Sequence, residues 1–339
     1  MNMEKIDLSH GNGGKFSHDL IEKIFIKEFN NEYINKLNDS AFLNLKNTKL
    51  AFTTDSYVVK PIFFPGGDIG KLAVTGTVND LAVSGALPKF ISCGIILEEG
   101  FKIKDLQDII KSMQETARQA GVEIVTGDTK VVEKGSADGI FINTSGIGII
   151  EDCDYEYSIN NIKIGDEIII NGYIGDHGVA VLEEREEIPM KSGIKSDCVC
   201  LNDIITKLIK SIPRDEIRIM RDPTRGGLAQ TLNEFVYKKN FTIELFEDKI
   251  PIRDEVKAIC EITGFDPFYI ANEGKFVIVC SDKYSNKIIN ILKNHPLGNN
   301  ASVIGKITDI SNGNLVLNTN IGGSRIIDML VGNMLPRIC

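Results

Sequence analysis

The stretch GKLAVTGTVNDLAVSGA (70–86) constrains this chain more than any other. Val74, Val78, Leu81 and Ala82 fall at helical spacing, so the segment reads as a helix. Its small residues, with glycines and threonines among them, make it a poor helix in isolation. Close packing must hold it, so the fold has to bring other elements tightly around it.

The surrounding pattern supplies those elements. SHDLIEKIFIKEF (17–29) reads as an amphipathic helix capped by Ser17, with Leu20, Ile21, Ile24 and Phe25 on one face. The clearest helix is IKDLQDIIKSMQETARQAG (103–121), where Leu106, Ile109, Ile110, Met113 and Ala117 align and Gly121 is the stop. TKLAFTTDS (48–56), KFISCGIILEE (89–99), VEIVTGD (122–128) and GIFINTSGIGII (139–150) read as strands. Strands alternating with helices predict an α/β or α+β domain. A chain of 339 residues is too long for one ordinary core, so two domains are expected. The polar run EDCDYEYSINN (151–161) places their boundary near residue 152. This gives domains 1–152 and 153–330 and a mobile tail, 331–339. The second half predicts helices near 198–211 and 227–239, strands near 241–246, 275–280 and 301–307, and a final strand near 314–317.

Hydrophobic residues make up 42% of the chain and charged ones 25%, as in soluble globular proteins. The net charge of −9 argues against nucleic acid or an anionic membrane as partner, but leaves room for a small anion held locally. No apolar run matches a membrane span, and MNMEKIDLSHGNGGK lacks the apolar core of a secretory signal. Of the seven cysteines only Cys198 and Cys200 stand close together, and with four histidines and no second close pair a structural zinc site is not expected; the odd count and irregular spacing suit a reducing, cytoplasmic compartment. Cys339 ends the chain.

Five stretches could carry chemistry. HGNGGK (10–15) is either an anion-binding nest with Lys15 adding charge, or a flexible loop. Asp55, Asp80, Asp128 and Asp222 each have a bland reading as a turn or helix cap. Together, in Gly- and Thr-rich settings, they suggest oxygen ligands for a hard cation such as Mg²⁺. RDPTRGG (221–227) opens a helix whose N-terminus, with Arg221 and Arg225, would attract an anion. Lys130 in TGDTK could touch a phosphate, and Glu273 in IANEGK could seat a general base; each could equally be an exposed loop charge.

HGNGGK, TTDS, DIGKLAVTGTVNDLAVSGA, GDTKVV, GDHG, RDPTRGG, NEGK and the closing PRIC resemble the HypE family of hydrogenase maturation factors. That family lies within the superfamily of aminoimidazole-ribonucleotide synthetase, thiamine-phosphate kinase and selenophosphate synthetase. The resemblance covers essentially the whole chain. It implies a two-domain PurM-like fold that dimerises through its N-terminal sheets into a shared barrel. It implies ATP and Mg²⁺ in a cleft beside VNDLA and RDPTRGG. The nucleotide would be held by His10, Gly11, Asn12, Gly13, Gly14, Lys15, Asp68, Gly70, Asn79, Asp128, Arg221 and Arg225, and the metal by Asp55, Asp80, Asp128 and Asp222. It also implies a reaction. A HypF-type carbamoyltransferase loads Cys339, ATP drives dehydration of the S-carboxamide to a thiocyanate with Glu273 as base and Lys130 assisting, and the cyano group passes to iron on a HypC–HypD complex. Two other readings stay open from the residues: a kinase or cyclo-ligase of the same superfamily acting on a free substrate, and a non-enzymatic carrier that uses Cys339.

Overall fold

The structure, a computed structural model, describes residues 14–26, 34–45, 48–151, 155–185, 191–310 and 313–330. The small-residue stretch forms α2 (Ile69–Val83), following the short N-terminal helix α1 (Lys15–Leu20). Every residue of α2 except Lys71 and Asp80 is buried. The apolar face read from the sequence is therefore too narrow, because α2 is enclosed on all sides. On one side it lies on a five-stranded sheet of β1 (Ala41–Leu45), β2 (Thr48–Tyr57), β5 (Leu87–Glu98), β6 (Glu123–Val132) and β7 (Ile140–Ile150). On others it meets α3 (Ile103–Ala120), α5 (Asn202–Ser211) and β9 (Ile217–Arg221). Its small side chains let these neighbours approach. Its few large ones, such as Leu72 and Leu81, contribute roughly 1.5–3 kcal/mol each by full burial.

The sheet runs β1-β2-β7-β5-β6, antiparallel except for β5 with β6. Its inner face carries Ala51, Tyr57, Ile91, Ile95, Ile140 and Ile142 against the helices. Its outer face leaves Phe52, Phe90, Ile96 and Ile147 exposed. β6 runs on to Val132, past the end expected at Asp128, as an exposed edge strand.

A hairpin, β3 (Phe63–Phe64) with β4 (Gly67–Asp68), leads into α2. The second sheet has seven strands: β8 (Glu167–Ile170), β9, β10 (Thr242–Phe246), β11 (Val277–Cys280), β12 (Ser302–Thr308), β13 (Leu315–Asn318) and β14 (Ser324–Ile326). Their order is β14-β13-β10-β12-β8-β11-β9. β14 follows the strand expected to be last. β11 shows why the run VIVC is continuously apolar: Val277 and Val279 face a core with α6 (Gly227–Val236), while Ile278 and Cys280 face α5 and α8 (Asp282–Lys293). α6 stops at Val236, short of the expected 239, and α5 begins at Asn202, so the expected helical start at 198–201 has no regular structure.

α4 (Asp176–Glu184) and α7 (Asp254–Thr263) share a core with the first sheet, so one cluster spans both halves. α1 continues as a π-helical turn, Ile21–Ile26, and reaches α6 through His18 beside Glu234 at 3.4 Å. Ser17 lies inside α1 rather than capping it, because the helix already begins at Lys15.

Candidate active site

Four carboxylates from four separate elements come together where α2 meets β2 and β9. Asp55 stands on the inner face of β2 and accepts the Tyr57 hydroxyl at 3.2 Å. Asp80, near the end of α2, accepts Thr53 Oγ1 at 2.8 Å. Asp222 follows β9, and Asp39 precedes β1. Burial, then the charges of Asp55, Asp222 and Asp39, push Asp80 well above the carboxylate range. Burial and Asp39 raise Asp222 to about 8, and burial raises Asp39 to about 6 against the pull of Arg221. Asp55 is also raised by burial, with Arg225 opposing. Ionised together, the four carboxylates would carry more negative charge than Arg221 and Arg225 neutralise, and their all-oxygen donors suit a hard divalent cation. Among the described residues no three acidic, histidine or cysteine side chains close on one point. A cation here would take only some of its ligands from the chain and the rest from water or phosphate oxygens.

Several expected roles change. Asp128 and Lys130 do not join this group within one chain. In register, Asp55 aligns through Thr144 and Cys93 with Gly127, so Asp128 is three strands away, about 14 Å. Strand parity also turns Asp128 and Lys130 to the outer face, alongside Gly94 and the exposed Ile96. Arg221 is buried, and its guanidinium is engaged by Asp39 at 2.8 Å, Glu234 at 3.2 Å and the Leu37 carbonyl at 3.0 Å. These partners tie the guanidinium into the fold. Arg225 is the exposed cation that faces Asp55.

Asp68 caps α2 by accepting from the N–H groups of Gly70 at 2.7 Å and Lys71 at 3.1 Å. A Cβ on Gly70 would strike Ile109 and Met113 of α3, so that glycine serves packing. Asn79 is 1% exposed, and its amide bonds the carbonyls of Val199 and Glu273 and the N–H of Leu201. Of the glycine-rich segment, Gly14 is buried and the Lys15 N–H donates to the Leu330 carbonyl at 2.8 Å. The first and last described parts of the chain are therefore tied together. His10, Gly11, Asn12, Gly13 and Cys339 lie outside the described residues.

Glu273 is 6% exposed. Its N–H donates to Asp197 Oδ1 at 3.0 Å and its carbonyl accepts Asn79 Nδ2 at 3.1 Å. Its charge reaches Tyr57 on β2 and adds to burial in raising the Cys198 thiol. The site is thus a carboxylate group and a buried, backbone-held glutamate, both within electrostatic reach of Tyr57. Sequence reading missed Asp39, Tyr57 and Asp197. Asp39 lies in the plain run LNDS, and in SDCVC only the cysteines drew notice.

Residues 37–150 match the N-terminal domain, and residues 163–318 the C-terminal domain, of AIR synthase related proteins. Carbamoyl dehydratase HypE of Bradyrhizobium diazoefficiens is 44% identical over 334 residues, covering 98% of this chain and 96% of its own. The chain superposes on a crystallised HypE–HypF complex with a TM-score of 0.86 at 48% identity, covering 92% of this chain and 99% of that one. A crystal structure of hydrogenase maturation protein HypE in complex with ATP matches with a TM-score of 0.81 at 43% identity, covering 99% and 100%. The chain belongs to the HypE family of carbamoyl dehydratases, within the AIR synthase related proteins.

Proposed function

We infer that this protein is an ATP-dependent carbamoyl dehydratase that converts S-carbamoyl-Cys339 to S-cyano-Cys339. The observation that carries the reading is the full-length likeness to HypE crystallised with ATP. An amide oxygen is a poor leaving group until it is phosphorylated. In the balanced reaction the carbamoyl oxygen takes the γ-phosphoryl group of ATP and leaves as phosphate. Its two N–H protons depart, and the carbon–nitrogen bond becomes a nitrile.

Glu273 accepts an N–H proton. Burial keeps it out of bulk water, and Asn79 fixes its backbone. Arg225 and Lys15 meet the phosphates, with Gly14 and the preceding His10–Gly13 segment covering them. Asp55, Asp80 and Asp222 would hold Mg²⁺, which when bound offsets their shared charge and that of the phosphates. The tail carries Cys339 in from Leu330.

A second copy completes the assembly. The exposed Phe52, Phe90, Ile96 and Ile147 of the outer face support sheet-to-sheet dimerisation. Asp128 and Lys130, on that same face, then serve the site of the partner copy. A HypF-type carbamoyltransferase supplies the carbamoyl group, and a HypC–HypD complex in the cytoplasm receives the cyano group on its iron.

The test is intact mass spectrometry of full-length protein carbamoylated on Cys339. With ATP and Mg²⁺ the adduct should lose the mass of one water as ADP forms. A carbamoyl adduct that persists while ATP is hydrolysed would overturn the reading. So would cyanate or thiocyanate production by Cys339→Ala.

A further inference from the structure

Glu273 sits in a four-residue loop, Asn272–Lys275, that would be loose if nothing held it. The segment 196–199, which crosses between the two halves, holds it from one side. Asp197 is almost fully buried and bridges the loop twice: Oδ1 accepts the Glu273 N–H at 3.0 Å, and Oδ2 pairs with Lys275 Nζ at 2.8 Å. The fit is tight, since a Cβ on Gly274 would overlap the Asp197 carbonyl oxygen and press on Val199. From the opposite side Asn79 ties the carbonyls of Glu273 and Val199 to α2.

We propose that Asp197 is the positioning residue for Glu273: it fixes the loop's backbone and, by neutralising Lys275, sets the charge beside the base. The proposal deepens the reading of Glu273 as general base and rests on it.

The surroundings are consistent. Burial opposes the Asp197 charge, but the Lys275 ammonium and the Glu273 N–H outweigh it and hold the carboxyl below its usual range. His177 is kept neutral by burial, at about 4, with its Nδ1 2.8 Å from Ser196 Oγ. Asp176 faces Asp197 and Lys275, and is itself paired with Arg253 at 3.0 Å. On its other sides Glu273 faces Tyr57 from β2 and Cys198, both proton-bearing at neutral pH. Asp197, bonded to the Glu273 N–H, and Lys275, paired with Asp197, are therefore charged groups beside its backbone.

Asp197→Asn keeps an acceptor for the Glu273 N–H but leaves the Lys275 ammonium without its counter-charge. Loss of an anion and exposure of a cation both favour the ionised glutamate and make it a weaker base. Single-turnover dehydration of carbamoylated full-length protein should slow by roughly 10- to 100-fold at neutral pH. The KM for ATP should hold, and the acidic limb of the rate profile should move to lower pH. Asp197→Asn combined with Lys275→Met restores the charge count, so the limb should return and part of the rate with it. Melting curves for both variants establish that they fold.

Three results would overturn the proposal. The first is a wild-type rate and acidic limb in Asp197→Asn while Glu273→Gln is inactive. The second is a rate loss equal at every pH that the double variant does not relieve. The third is full dehydration by Glu273→Gln, which would remove the base reading itself and the positioning role with it.

Discussion

Replacing Arg221 by methionine separates a phosphate ligand from an internal tie. The guanidinium joins Asp39, ahead of the first sheet, to Glu234 on α6, and takes the Leu37 carbonyl as well. Breaking a buried ion pair costs about 3–5 kcal/mol, because a charge is left unpaired. The Arg221 side chain is 11% exposed, but Asp39 is 19% and Glu234 24% exposed. Glu234 also keeps Gln230 and His18. The lower end therefore applies, about 3 kcal/mol, or roughly 6–12 °C in the melting of a unit of 150–250 residues. The loss should be largest above neutral pH. Asp39, whose folded pKa is raised to about 6, sheds its ionisation penalty as pH falls through that value. Melting followed by circular dichroism from acid to alkaline pH measures this, and calorimetric titration with ATP measures the nucleotide. ATP affinity should be unchanged in Arg221→Met. In Arg225→Met it should drop roughly 10-fold or more, with stability intact. A stable Arg221→Met protein that has lost ATP binding would refute the assignment.

Gly70→Ala should cost about 1–3 kcal/mol by forcing α2 off Ile109 and Met113, with ATP affinity kept; an unchanged urea midpoint would count against that packing. Ile96→Asp and Phe90→Asp should yield monomers in sedimentation, and in those monomers dehydration should fail although each chain still binds ATP. A dimer that persists in both variants would redirect attention from the outer sheet face. His177, buried and neutral, titrates at about 4, below its unfolded value, so stability should fall as pH drops from about 6.5 towards 4. His177→Phe should remove that slope, and identical urea midpoints for variant and wild type at both ends of the window would show that His177 does not produce it.

Much of this was legible in the residues. Strand and helix segments followed from apolar period, although ends moved where tertiary neighbours intervened: β6 outlasted its expected end, and α5 started late. Asp55, Asp80, Asp222 and Glu273 were found as acids in Gly- and Thr-rich settings; Asp55, Asp80 and Glu273 lie within electrostatic reach of Tyr57, and Asp222 lies beside Asp80 and Asp55. Asp68 and Asn79 stand in the same motif but are consumed by helix capping and by backbone amides. A motif shows that a polar residue has a task, without showing whether its partner is a ligand or the chain.

The sequence by itself determined most of the elements and the family, and singled out Asp55, Asp80, Asp222 and Glu273 as candidates, because propensity, periodicity and short motifs act over a few residues. Only the tertiary structure decided who meets whom. Sheet register turned Asp128 and Lys130 to the outer face, since a strand reverses its side chains at every residue. Chain crossing brought Asp39 to Arg221 and Asp197 to Glu273, contacts between residues far apart in the chain that no local pattern encodes. Burial then set the charge states, because the cost of desolvating a carboxylate depends on everything packed around it.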